Sequence, residues 1–231
     1  MKSPFLLRII GLSLLIGLNS CNNNKLIQRA ITPQELSTWK TLDKGKTTVI
    51  GDELIMEEIE GSDGFFLISP ESYIGDLQLN YKIKALSDSS VLIVLFSASD
   101  NGASEKLTLP PPETKGSEFW TWRTHLEHYN LTFNNRSHGN KPFFFKNESP
   151  NKRGFYQNTK ENIVEVGKWY TIEIGKVGNR LWFKLDGNII FEQEDCKPFP
   201  NGHLMFRISG TTGEQVIFAK AAIKDLVISH E

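Results

Sequence analysis

From Trp39 onward this chain alternates apolar and polar residues with period two, and that pattern restricts it to a β architecture. Leu77, Leu79, Tyr81 and Ile83 alternate with Gln78, Asn80, Lys82 and Lys84. Successive side chains on a strand point to opposite faces, so this segment buries one face and wets the other. Leu181, Phe183 and Leu185 alternate with Arg180, Trp182 and Lys184. Asp186-Gly187 then reads as a tight hairpin turn into Ile189-Ile190-Phe191. Leu204, Phe206 and Ile208 alternate with His203, Met205 and Arg207, which puts Arg207 on the wet face. Val91 to Phe96 is apolar throughout, as in a strand covered on both sides. Val216 to Ile228 reads as a last long strand with a bulge around Ala219 to Ala222. Short strands between Gly, Asn and Asp turns, with no long amphipathic helix, predict an all-β fold of two packed sheets.

The first 21 residues follow another pattern. Lys2 and Arg8 precede an apolar run from Ile9 to Leu18, and Leu18-Asn19-Ser20-Cys21 follows. The run is too short to span a bilayer. A small residue before a cysteine at the end of such a run resembles the lipobox of bacterial lipoproteins. The resemblance implies a signal peptide over 1–20, cleavage before Cys21 and lipidation of its thiol. The protein is then expected as a lipoprotein held to a membrane. The residues after Cys21 lack an acidic pair, which points to an outer-membrane location facing the periplasm. The alternative is an ordinary secretory signal with a chance cysteine. Residues 21–37 read as a polar tether and 38–231 as one domain.

Loss of Lys2 and Arg8 with the signal leaves 24 basic side chains against 27 acidic, a net charge of −3. That balance carries no footprint for nucleic acid. With Cys21 lipidated, Cys196 has no partner for a disulfide and reads as a small buried or half-buried residue.

The middle of the chain departs from strand alternation. Leu109-Pro110-Pro111-Pro112 interrupts the pattern, and residues 119–157 are rich in Trp, His, Asn and Arg. Long polar-aromatic insertions on a rigid β scaffold are where binding and catalysis concentrate. If the stretch ending at Asn134 is a strand, Tyr129, Leu131 and Phe133 face the core. His128, Asn130, Thr132 and Asn134 then line the other face, a row of hydrogen-bonding groups suited to sugar hydroxyls. The alternative is a solvated outer face. Trp120, Trp122, His125 and His128 beside that row favour recognition. Arg123, Arg136, Lys141, Lys146, Lys152 and Arg153 in this window face only Glu127 and Glu148, a local charge of +4. A basic patch on an acidic protein points to an anionic ligand. The competing account pairs these cations with acidic surface elsewhere.

No metal and no organic cofactor is expected. His125 and His128 lack the neighbouring carboxylates or histidines of a zinc site. Calcium in a surface loop stays open. Glycosidases need two carboxylates across the scissile bond, and Glu192-Gln193-Glu194-Asp195 reads instead as a solvated turn. No G-x-S-x-G elbow is present.

Trp169-Tyr170-Thr171-Ile172-Glu173-Ile174 and Leu181-Trp182-Phe183-Lys184-Leu185-Asp186-Gly187 resemble the paired back strands of concanavalin A-like jelly rolls. His128-Tyr129-Asn130-Leu131-Thr132-Phe133, Lys152-Arg153-Gly154-Phe155 and Gly202-His203-Leu204-Met205-Phe206-Arg207 are similar to the YesU-like bacterial family of polysaccharide-utilisation loci. The resemblance implies a two-sheet jelly-roll sandwich over roughly residues 38 to 230. It also implies kinship with lyases and dehydratases that act on uronic acids, as in ulvan breakdown. The expected activity is β-elimination on an acidic oligosaccharide, with a non-catalytic glycan-binding lipoprotein as the alternative. In that chemistry donors stabilise charge growing on the uronate carboxylate, and one group takes the C5 proton while another protonates what leaves C4. Arg153 and Arg207 are the expected carboxylate clamps. His128 and Tyr156 are the expected base and acid, with His125 in reserve. Trp120, Trp122, Asn130, Arg123 and Asn134 are expected to position the sugar.

Overall fold

The computed structural model describes residues 26–231, except 89, 103–104, 112, 116, 135–140, 150–151, 162 and 212–215. The signal, the lipidated Cys21 and Arg136 of the basic window therefore lie outside the described residues. In chain order the elements are β1 (Ile27–Ile31), α1 (Pro33–Leu36), β2 (Lys40–Leu42), β3 (Gly45–Ile50), β4 (Glu53–Glu58), β5 (Phe65–Ile74), β6 (Leu77–Ala85), β7 (Val91–Asp100) and α2 (Ser117–Thr124). There follow β8 (Leu126–Phe133), β9 (Phe143–Glu148), β10 (Arg153–Asn158), β11 (Trp169–Val177), β12 (Arg180–Leu185), β13 (Asn188–Glu194), β14 (Asn201–Ser209) and β15 (Lys220–His230).

These strands form two antiparallel sheets. The first runs β13-β12-β11-β6-β15-β4-β3, with β1 added alongside β15. The second runs β10-β9-β8-β7-β14-β5-β2. The main core lies between them. Leu79, Tyr81 and Ile83 of β6 and Ile172 and Ile174 of β11 meet Leu131 and Phe133 of β8 and Phe206 of β14. Phe133 and Phe183 stack across the layers at 5.4 Å. The alternation in β6, β12 and β14 thus marks the inward faces. Asp186 and Gly187, at φ 49° and 80°, form the hairpin turn between β12 and β13.

The second sheet is apolar on its outer face as well. Phe66, Ile68, Ile93, Leu95 and Met205 form a second buried cluster there. Phe119 of α2 and the partly buried Leu107, Leu109 and Trp122 cover it. This double coverage is why Val91 to Phe96 lacks alternation. It sets the site, because the cover leaves the β8–β10 end of the sheet uncapped by apolar groups.

Several expectations need correction. Residues 27–36 belong to the domain and not to a tether. β1 pairs with β15 from Ile27↔His230 to Ile31↔Leu226. Thr32 caps α1 by accepting from the Glu35 amide at 3.1 Å, and Leu36 is buried. Four of the five β1 residues are exposed, so the strand left no alternation to read. The last strand starts at Lys220, and its bulge lies between Lys224 and Val227, where Asp225 takes φ 54°. Cys196 is exposed. Glu192 to Glu194 extend β13, and Asp195 is buried.

Asp195 anchors a polar network between the sheets. Its Oδ2 lies 2.8 Å from Lys146 Nζ and accepts the Tyr129 hydroxyl at 2.6 Å. The Lys197 amide donates to Oδ1 at 3.0 Å, and Lys146 donates to the Lys197 carbonyl at 2.6 Å. Removing Asp195 takes the nearer carboxylate from the buried Lys146, which keeps Glu148 at 3.3 Å, and leaves the Tyr129 hydroxyl without its acceptor. Asp195→Ala should therefore lower the unfolding free energy by about 1.5–3 kcal/mol in urea titrations, the worth of a hydrogen bond to a charged group. A loss below about 1 kcal/mol, the level of an exposed pair, would show that the network contributes nothing beyond surface electrostatics.

Candidate functional site

Side chains paired laterally across a sheet share a face. On the outer face one row reads Phe66, Arg207, Ile93, Thr132, Phe143. The next reads Ile68, Met205, Leu95, Asn130, Phe145, Tyr156. His128 and Asn147 stand opposite each other one step further along β8 and β9. Apart from Arg207, the left half of each row is apolar and covered. The right half is polar and aromatic, and a cavity of about 390 Å³ opens above it.

α2 forms the roof. Phe119 packs on Phe66 at 6.1 Å, and Trp122 meets the same ring edge-on at 6.0 Å. The Trp122 indole donates to the Thr108 carbonyl at 2.9 Å. These anchors turn Trp120 and Arg123, one helical turn apart, toward the cavity. Trp120, Arg123 and Thr124 line it from above, His128 and Asn130 from β8, Phe145 and Asn147 from β9, and Arg153 from the start of β10.

Arg123 is the unusual group. It is buried, and its guanidinium lies 4.9 Å from the Trp120 ring centre. Among the described residues its Nε has no hydrogen-bond partner, and it forms no ion pair. Burial, and then repulsion from Arg207, hold its pKa well below the ordinary value. A desolvated cation without a counter-charge is costly, and an anion placed against it recovers that cost.

His128 is buried beside it. Its Nδ1 lies 3.3 Å from the Leu126 carbonyl, and its ring meets Phe145 at 5.9 Å, edge to face. Burial, then the Arg123 charge, push its pKa down to about 3. The imidazole is therefore neutral at physiological pH. With Nδ1–H donated to Leu126, Nε2 keeps a free lone pair. Asn147 donates to the same carbonyl at 2.6 Å and to the Thr124 carbonyl at 3.1 Å, tying β9 to the end of α2. Asn130 donates to Thr132 Oγ1 at 2.7 Å.

The structure brings together Trp120, Arg123, His128, Asn130 and Arg153, and it separates the other candidates. Trp122 and His125 line a different cavity on the far side of α2, and His125 Nδ1 is engaged 2.7 Å from the Thr121 carbonyl. Asn134 is buried outside the site and donates to Ser90 Oγ at 2.9 Å. Tyr156 does not line the cavity. The residue is 47% exposed, and its ring stacks beside Phe143 at 5.9 Å. Arg207 shares the sheet face but is half-buried and does not line the cavity. It donates to the Asp63 carbonyl at 2.6 Å and lies over Phe66 at 5.1 Å. Gly64, at φ 119°, leaves the room that this guanidinium fills. Burial lowers the Arg207 pKa to about 10 against the opposing pull of Glu58.

The basic window divides in the same way. Lys146 is paired with Asp195 and Lys152 with Glu148, so pairing with acidic groups describes those two. Arg123 and Arg153 face the cavity instead. Sequence reasoning missed Thr124, Phe145 and Asn147. The alternation Phe143, Phe145, Asn147 was available as a signal, but Asn147 joins His128 only through strand register. A larger groove, about 960 Å³, runs along β2 and residues 107–111. Its lysines Lys40, Lys44 and Lys115 are exposed at the surface. Among the described residues no group of three or more His, Cys, Asp or Glu side chains is placed to hold a metal ion.

The sequence matches no protein-family model and no curated protein. Solved structures share its fold. A Bacillus subtilis protein of unknown function with a galectin-like fold matches with a TM-score of 0.69 at 12% identity, over 90% of this chain and 97% of that one. A β-glucanase of Bacillus licheniformis matches at TM-score 0.55 and 12% identity, over 90% of this chain and 94% of its own. A carbohydrate-binding module of Bacillus subtilis matches at TM-score 0.51 and 15% identity, over 83% and 94%. The fold is a two-sheet jelly roll of the concanavalin A-like kind.

The neutral His128 has a consequence for stability. Unfolded, it titrates near 6.5, and folded near 3. Between those values the unfolded chain binds the extra proton. The contribution of His128 to stability is therefore complete above pH 6.5 and is lost as pH falls toward 3. His128→Gln removes this titration, so its melting temperature should fall less steeply than the wild type's across that window. Parallel curves would show a folded-state histidine that titrates normally.

Proposed function

We propose that this protein is a carbohydrate-active jelly roll that holds a uronate beneath α2 and eliminates across its C4–C5 bond. The observation that carries this reading is the buried Arg123, which among the described residues has no ion pair and no partner at its Nε, beside a neutral imidazole with a free lone pair. Two further lines support a glycan ligand. The fold is shared with a β-glucanase and a carbohydrate-binding module. The motifs around His128, Arg153 and Arg207 resemble those of the YesU-like family. Among the described residues no Asp or Glu lines the cavity, so hydrolysis by paired carboxylates does not suit it. The lipobox-like start supports a membrane-anchored protein facing the periplasm.

In this reading the substrate carboxylate sits against Arg123, with Arg153 at the mouth. Burial is the larger cause of the depressed His128 pKa and the Arg123 charge the second; the substrate carboxylate offsets that second part and makes the imidazole a stronger base. His128 Nε2 takes the C5 proton, the C5–H electrons form the C4–C5 double bond, and the C4–O bond breaks. Arg123 stabilises the charge that grows on the carboxylate. Among the described residues His128 is the one lining group suited to proton transfer, so its imidazolium returns the proton to the departing oxygen. A single group acting twice requires the C5 proton and the C4 oxygen on one face of the ring. Gluco-configured uronates meet that condition and galacturonates do not.

The experiment incubates purified protein with glucuronate- and galacturonate-terminated oligosaccharides and follows the ultraviolet absorbance of the new double bond. The glucuronate series should react and the galacturonate series should not. His128→Ala should lower turnover by about 10²–10⁴ while changing affinity little. Arg123→Gln should weaken binding of the acidic sugar by about 1.5–3 kcal/mol. A second reading, a non-catalytic glycan-binding protein, is favoured by the weak basicity of His128 in the free protein. Tight uronate binding with no double bond would establish it in place of the first.

A further inference from the structure

The cavity does not end at Arg153. Phe145 lines it, and Tyr156 pairs with Phe145 in register on the edge strand β10. The two rings lie 6.5 Å apart and within 27° of parallel, and Phe143 continues the row beside Tyr156 at 5.9 Å and 23°. The Arg153 guanidinium bridges the pair, 4.9 Å from the Phe145 ring centre and 5.2 Å from that of Tyr156. Arg153 forms no ion pair among the described residues, and both Arg153 and Tyr156 are exposed. A row of near-parallel rings therefore starts inside the cavity and runs out to solvent, with a cation over it. An exposed tyrosine at the end of such a row is not needed to fill the core, and amphipathic rings of this kind favour recognition surfaces.

We infer that Tyr156 and Arg153 form a second sugar subsite outside the cavity mouth, so that the ligand is an acidic oligosaccharide of at least two residues. This rests on the reading that the cavity holds a uronate. The apolar C–H face of the neighbouring sugar packs on the Tyr156 ring, and Arg153 donates to a carboxylate or hydroxyl at its edge. Tyr156 acts here through its ring, not as a proton donor.

Calorimetric titrations with glucuronic acid and with a β-1,4-linked glucuronate tetramer test the subsite. Wild-type protein should bind the tetramer more tightly than the monomer. Tyr156→Ala should reduce that tetramer-to-monomer preference by about tenfold, equivalent to ~1.4 kcal/mol. Tyr156→Phe should restore it. Circular dichroism confirms that the variants are folded. A preference unchanged in Tyr156→Ala overturns the subsite, as does a Tyr156→Phe variant that fails to restore it. Monomer binding that survives Arg123→Gln sinks the cavity reading but leaves the subsite standing if the tetramer preference still depends on Tyr156. Absence of wild-type binding to either sugar overturns both.

Discussion

The packing of Phe119 and Trp122 onto Phe66 is the contact from which the rest of the site follows. A jelly roll needs only the face between its sheets to be apolar. Here the outer face of the second sheet is apolar too, along β5, β14 and β7, and exposing it would be unfavourable. The segment carrying α2 answers that demand. Its apolar residues cover the middle of the sheet, and the helix they anchor extends beyond the apolar zone. Trp120 and Arg123 are carried out over the polar end of β8 and β9. The cavity is what remains between a helix fixed on one side and a sheet that changes character beneath it.

Legibility of the fold followed burial. Strands with one face in the core, such as β6 and β14, announced themselves by alternation, and β7 by its unbroken apolar run. Strand β1 carried no such mark because its stability comes from backbone pairing with β15 and not from buried side chains. The α2 helix was hidden because its eight residues include two tryptophans and two threonines, which read as insertion and not as helix. Within the site, parity assigned His128, Asn130 and Arg207 to one face but said nothing of what lies over each. His128 and Arg207 share that face, yet one borders a cavity and the other is pinned under the 61–64 turn. Asp195 was misread for the same reason. Its partner Lys146 is 49 positions away, a relation set by the packing of two sheets.

The buried guanidinium of Arg123 and the half-buried one of Arg207 give this face its electrostatic character. Arg207 is held by a carbonyl, a hydroxyl and the field of Glu58, so it is part of the scaffold. Among the described residues Arg123 has no such support at its Nε, and its charge adds to the burial that keeps His128 neutral. In the proposed reading an incoming uronate would relieve the cation and remove the Arg123 part of the His128 depression, leaving the part due to burial. The Leu126 carbonyl, which also accepts from Asn147, fixes which imidazole nitrogen is presented.

The pairing of β1 with β15 closes the described chain into a near-circle. Ile27 stands opposite His230, so the two ends of the described chain are paired neighbours in one sheet. Topologically the domain has little preference for where its backbone is interrupted. A short linker between these ends, with a new opening at the Asp186-Gly187 turn, keeps every strand pair and leaves the cavity, built from α2 and β8–β10, on an uncut stretch of chain. The order of the sequence is then a matter of history, while the arrangement of the sheets is a matter of physics.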